Sequence, residues 1–155
     1  SKFVKEFKGY KNQLADSYLK DKNVTNNLIM EAYERMQMDV EASHILITIP
    51  VLAMPSDTIS AYKTAMKVKK LAEGGTDFKE LAKKYSTDPS AISNGGYLGY
   101  FSVFRMVYPF ETAAYSTEVG EISKPFRTRF GYHIIKVHSK RKSGVPEWLK
   151  NEKKS

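Results

Sequence analysis

Cysteine is missing from all 155 residues. That excludes disulfides, thiolate metal sites and a cysteine nucleophile, and it fits any cellular compartment. Long apolar runs are missing too: every uninterrupted stretch is far shorter than the roughly 18 residues a membrane-spanning helix needs. The chain opens at Ser1 directly into an amphipathic pattern, with no signal-peptide core. With no initiator Met, the expectation is a processed or excised piece of a longer protein whose targeting segment lies elsewhere. No internal repeat is visible, and low complexity is confined to a Lys-rich tail.

What is present reads as globular: 41% hydrophobic and 27% charged residues, enough for one compact domain plus an accessory element. The net charge is +8 and unevenly placed: residues 1–43 carry seven basic and seven acidic side chains, whereas residues 139–155 carry six and two. A basic surface can attract nucleic acid or acidic lipid. No nucleic-acid motif accompanies it, so the expectation is a solvated surface and tail with no nucleic-acid partner.

Phe3, Phe7, Tyr10, Leu14 and Tyr18 fall at helical spacing over residues 2–19. Thr25 is a candidate N-cap for a second helix with Leu28, Ile29, Ala32, Tyr33, Met36 and Val40 on its stripe. Together these two helices form an expected helical arm whose apolar faces need a partner. A β-branched strand follows from Ser43 to Ile49. Pro50 and Pro55 bracket a loop. Ser56 or Asp57 caps a helix to Glu73, with Ile59, Tyr62, Met66 and Leu71 as inward candidates and Gly74-Gly75 as its stop. Asp77 and Glu80 have capping-box spacing before a short helix with Phe78, Leu81, Ala82 and Tyr85. Residues 86–97 read as a loop, Leu98–Phe101 as a short strand, and Pro109–Tyr115 as a helix. Strand-like runs at Ser123–Thr128 and Tyr132–His138 flank a hairpin turn. This order predicts an α+β domain with a mainly antiparallel sheet.

The only histidines are His44, His133 and His138. Alternation puts His44 with Leu46 on one strand face, and His133 with Ile135 and Val137 on one face of another; it does not say that the two faces coincide. Two unrelated half-buried histidines, a zinc site completed by Asp88 or His138, and a Ser-His-Asp hydrolase all stay open at this level. No metal-ligand spacing and no Gly-x-Ser-x-Gly elbow supports the last two.

Five segments in order resemble the parvulin family of peptidyl-prolyl cis/trans isomerases: Ala42-Ser43-His44-Ile45-Leu46-Ile47, Phe78–Tyr85 with the Ser86–Ala91 loop, Asn94–Phe101, Pro109-Phe110-Glu111, and Phe130–Ile135. The helical arm more loosely resembles the linker region of SurA-type bacterial folding factors. The resemblance implies a parvulin/FKBP-like antiparallel sheet of about four strands flanked by helices. It divides the chain into an arm (1–41), an isomerase domain (42–139) and a basic tail (140–155). It implies that His44, Asp88 and His133 are the catalytic set, that Leu98, Met106 and Phe110 hold the proline ring, and that Ser43, Thr128 and Phe130 support them. Tyr97 departs from the family's usual Asp, and Phe130 from a position that is small and polar in some members.

The implied activity is isomerisation of Xaa-Pro bonds in unfolded exported polypeptides, outer-membrane protein precursors among them, in the periplasm or a similar exported location and without a cofactor. The alternative is a chaperone module that binds unfolded chain with little catalysis. Phospho-specific members carry basic residues after the first strand. Residues 50–57 here contain no Lys or Arg, so no phosphate dependence is expected.

Overall fold

The computed structural model describes residues 22–144, with side chains from residue 25. The expected helix over 2–19 and the tail beyond 144 lie outside the described residues. The chain divides into two compact units, one containing the residues up to Asp39, Ser102–Arg105 and those from Arg141 onward, the other Val40–Phe101 and Met106–Lys140.

In the first unit, α1 (Lys22–Arg35) buries Ala32 and Tyr33, with Met36 buried just beyond it. The helix stops sooner than its stripe suggested. Gln37 turns back to donate its side-chain amide to the Tyr33 carbonyl at 3.0 Å, occupying one of the carbonyls a helix end leaves free. Strand β1 (Met38–Thr48) begins at once, so Val40 is a strand residue and Thr25 lies inside the helix rather than at its cap. The Ser143 N–H donates to the Gln37 carbonyl at 3.0 Å.

The second unit is built on a four-stranded sheet, order β2-β1-β4-β3, antiparallel throughout. Its remaining elements are α2 (Pro55–Glu73), α3 (Phe78–Tyr85), α4 (Ala91–Asn94), β2 (Tyr97–Phe101), α5 (Tyr108–Ser116), β3 (Phe126–Thr128) and β4 (Gly131–Lys142). Alternation along β1 and β4 divides the core in two. Ile45, Ile47, Ile49 and Ile134 pack against α2 and α3. Val40, Ala42, Ile135 and Val137 face the other way, against Phe101 of β2 and Phe110 and Ala114 of α5.

Helix α2 starts at Pro55, and the Asp57 carboxylate accepts the Met54 N–H at 2.9 Å. Its buried face is Ala61, Ala65 and Val68; Ile59, Tyr62 and Leu71, expected inward, are 55%, 43% and 36% exposed. Small side chains one turn apart let the helix axis lie close to the sheet, so size outranks hydrophobicity in choosing the face. The α3 face of Phe78, Leu81 and Ala82 is buried as expected, though Asp77 makes no side-chain cap bond. The short helix α4 interrupts the 86–97 loop. The strand expected over Ser123–Thr128 shrinks to Phe126–Thr128 with one isolated bridge at Ile122, because Pro125 has no N–H to give a ladder.

Candidate active site

His44 lies on β1 beside a bulge at Ala42/Ser43, its N–H held by the Gly96 carbonyl at 2.9 Å. His133 lies on β4 opposite Phe126 in the hairpin register. The sheet brings both imidazoles to the face that α5 covers. Their rings stack at 5.8 Å between centroids and 19° between planes. The Phe110 ring stands edge-on to both, 5.5 Å from each. Phe126 stacks on His133 at 5.2 Å and 11° and meets Phe110 edge-to-face at 5.6 Å. Leu98 and Met106 pack, partly buried, on the cluster that contains Phe110.

Each histidine is oriented by a partner of its own rather than by the other. His44 Nε2 lies 3.2 Å from the Asp88 carboxylate. A carboxylate can only accept, so Nε2 carries the proton and Nδ1 is left as an acceptor. His133 Nε2 lies 2.7 Å from Thr128 Oγ1, which also accepts the Phe130 N–H at 3.2 Å. The hydroxyl can donate its own proton to His133 Nε2, and in that arrangement the imidazole proton sits on Nδ1. Both Nδ1 atoms are buried with no hydrogen-bond partner. In that arrangement the pair presents one donor and one acceptor nitrogen inside an aromatic cage.

Desolvation pushes both imidazoles toward the neutral form. His133 is lowered to about 4 by burial and by the adjacent His44, with Asp88 opposing. His44 is lowered by burial, against the Asp88 charge and hydrogen bond. For Asp88, partial burial pulls upward, but it accepts the Ser90 N–H at 3.0 Å and the Ser90 hydroxyl at 2.9 Å and faces His44; these bonds win and hold its carboxyl below the ordinary range.

Two expected supporting positions, Ser43 and Phe130, lie elsewhere. Ser43 points to the opposite sheet face, where Oγ lies 2.7 Å from His138 Nε2; one residue's displacement along a strand reverses the face. That bond also places His138 far from any shared ligand set with His44, and among the described residues no cluster of three His, Asp or Glu groups is spaced to hold a metal. Phe130 is 46% exposed on the hairpin tip beneath the Arg129 guanidinium; its contribution to the site is a backbone N–H. Tyr97 is an exposed β2 residue whose hydroxyl donates to Glu41 at 2.5 Å. Conversely, Phe126, Ser90 and Ser86 belong to the constellation. The Ser86 hydroxyl accepts the Leu46 and Asp88 N–H groups at 3.1 and 3.3 Å. The signal for Phe126 was the hairpin itself: counting back from the Arg129-Phe130 turn pairs it with His133.

A four-stranded antiparallel sheet flanked by helices, with paired histidines on one face, is the fold of the parvulin class. The chain belongs to that family: the model of the PPIC-type PPIase rotamase domain matches residues 44–139. It is 42% identical over 134 residues to the foldase protein PrsA of Geobacillus kaustophilus, covering 86% of this chain and 43% of that protein. The crystal structure of the peptidylprolyl isomerase PrsA from Bacillus anthracis superimposes with a TM-score of 0.63 at 30% identity, covering 98% of this chain and 74% of that one. A SurA-like chaperone of Campylobacter jejuni matches with a TM-score of 0.55 at 26% identity, covering 98% and 60%. The chain spans less than half the length of the curated relatives it matches.

Proposed function

We propose that this chain is a peptidyl-prolyl cis/trans isomerase that speeds the folding of exported polypeptides without forming a bond to them. The observation that carries this reading is the cage: two buried, neutral imidazoles walled by Phe110 and Phe126, with Leu98 and Met106 alongside. The barrier to prolyl rotation, roughly 18–20 kcal/mol, comes from amide resonance. At the twisted geometry that charge separation is lost, so a dry, weakly polar surface favours it over either planar form. Leu98, Met106 and Phe110 grip the pyrrolidine ring. His44 and His133, locked in complementary tautomers, contact the rotating amide. Asp88 is a positioning residue: its oxygens are engaged by Ser90 and His44, which fixes His44's tautomer. Thr128 does the same for His133.

Isomerase function occupies residues 42–139, with the arm and tail belonging to the remainder of a longer foldase. Clients are unfolded chains containing Xaa-Pro. The SurA-like chaperone neighbour supports unfolded polypeptides as clients, and the foldase relatives support an exported location; outer-membrane precursors are one such client class. The loop after β1 supports a concurrent holding role: Val51 is 100% exposed, Leu52 94% and Met54 65%. That loop offers nothing to bind phosphate, so a matched pair of Xaa-Pro peptides with and without a preceding phosphoserine tests the specificity. Comparable rates, or a slower phosphorylated substrate, are expected; a marked gain on phosphorylation contradicts the reading. Exchange NMR on the unmodified peptide tests the activity itself, and absence of any acceleration would leave only the holding module.

A further inference from the structure

We propose that the outward face of α2, with the adjoining end of α3, is a docking surface for an anionic lipid bilayer. Along α2, Ile59, Lys63, Met66 and Lys70 recur at steps of four, three and four residues, on the side opposite the buried Ala61, Ala65 and Val68. Tyr62 and Leu71 flank them and are exposed, as is Ile59, while Met66 is half-buried. Lys67 and Lys84 both approach one ring, their ammonium nitrogens 5.7 and 5.3 Å from the Tyr85 centroid. Two like charges are thus gathered on one aromatic group.

The cluster makes no ion pair among the described residues. The one carboxylate paired on α2 is Glu73, held by Lys69 at 2.8 Å, and Lys63, Lys67, Lys70, Lys83 and Lys84 have no ion-pair partner there. Like charges brought together repel, and a counter-charge from outside the chain relieves that repulsion. The apolar side chains interleave with the lysines instead of collecting in a pocket. The depression between Tyr62, Lys63, Met66, Lys67, Lys70 and Leu71 holds about 540 Å³ and is wide open.

A helix of 19 residues extends roughly 28 Å. Its outward face offers interleaved cationic and apolar contacts from Ile59 to Leu71, which matches a layer of anionic headgroups. Ammonium groups on long stems reach phosphates while Ile59, Met66 and Tyr62 enter the interfacial zone. The cage lies across the sheet from α2, so a docked domain keeps its histidine face toward the aqueous side, open to unfolded chains.

Flotation of the 155-residue protein with phosphatidylcholine vesicles, and with equimolar phosphatidylcholine and phosphatidylglycerol vesicles, tests this. Binding to the anionic vesicles only, lost at high salt, is expected. A lysine near such a surface contributes about a fivefold gain in partitioning. The triple change Lys63→Glu, Lys67→Glu, Lys70→Glu should therefore weaken binding on the order of a hundredfold or more. A charge-matched control, Lys124→Glu, Arg129→Glu, Lys136→Glu, should weaken it by no more than a few-fold. Circular dichroism verifies that both variants fold. Equal loss in the two triples, no preference for anionic vesicles in the parent, or binding of soluble polyglutamate in place of vesicles overturns the proposal. Peptide isomerisation should be unaffected by the α2 triple, which separates this surface from the catalytic reading.

Discussion

His133 and His44 make the sharpest claims at the scale of single residues. Burial holds His133 near 4 against an ordinary value of 6.5, so it stays neutral in the folded state while the unfolded chain takes up a proton near 6.5. The unfolded state then binds more protons between those two values, and stability must fall as pH drops through that window. Above it this group contributes no pH dependence. Urea unfolding between pH 4 and 8 checks the sign: a rise in stability on acidification below 6.5 would contradict a desolvated pair. Isomerase activity should hold its plateau well below pH 6.5 and decline only as His133 protonates. Replacing Asp88 with Ala removes the group that raises His44, so the His44 pKa should move further down by NMR titration. Losing a charge-assisted hydrogen bond should also lower kcat/KM on the order of tenfold. Activity loss without the pKa movement would point to a collapsed loop instead of a lost positioning contact. Thr128→Val leaves His133 Nε2 buried and unsatisfied and should cost roughly 1–3 kcal/mol, read as a lowered Tm. That His44, Asp88 and His133 could be named as candidates reflects motifs that are local in sequence. Phe126 was not, since its role depends on register across a hairpin, and Ser43 was misplaced because strand parity alone decides its face.

The elements show where periodicity informs and where it misleads. Helix α3 was legible in its buried face, Phe78, Leu81 and Ala82, but not in its cap, since Asp77 makes no side-chain bond there. Helix α2 was legible in extent but not in orientation, because close approach to the sheet selects Ala61, Ala65 and Val68 over bulkier neighbours. The end of α1 was hidden by Val40, whose spacing continues the helical stripe although it belongs to β1. The join between α4 and β2 is tighter than any composition signal conveys. Gly96 adopts φ of +82°, and a Cβ there would come 2.3 Å from the His44 carbonyl oxygen. Gly96→Ala should therefore cost at least about 1–3 kcal/mol from backbone strain alone. It should also disturb His44 chemical shifts before distant ones. A neutral substitution would mean that β2 does not buttress His44.

At the scale of the whole molecule, the two faces of one sheet do different work. One is packed by α2 and α3 for stability. The other is left under α5 as a cage of mixed aromatic and imidazole rings. The four-stranded α+β frame was predictable from element order; the coincidence of the two histidine faces was not, since it depends on β1 and β4 being neighbours. The holding role proposed for the exposed loop after β1 is separable from catalysis. Val51→Asp with Leu52→Asp should weaken suppression of aggregation by an unfolded, proline-containing client while leaving a short Xaa-Pro peptide's isomerisation within about twofold. Equal loss of both activities would make the loop part of the catalytic surface.

The central claim is that the cage itself lowers the rotation barrier. Exchange NMR on a short Xaa-Pro peptide, with the parent beside Met106→Ala and Phe126→Leu, tests it most directly. The account predicts clear acceleration by the parent and a loss of roughly tenfold or more in both folded variants. Acceleration that survives both substitutions unchanged would contradict it.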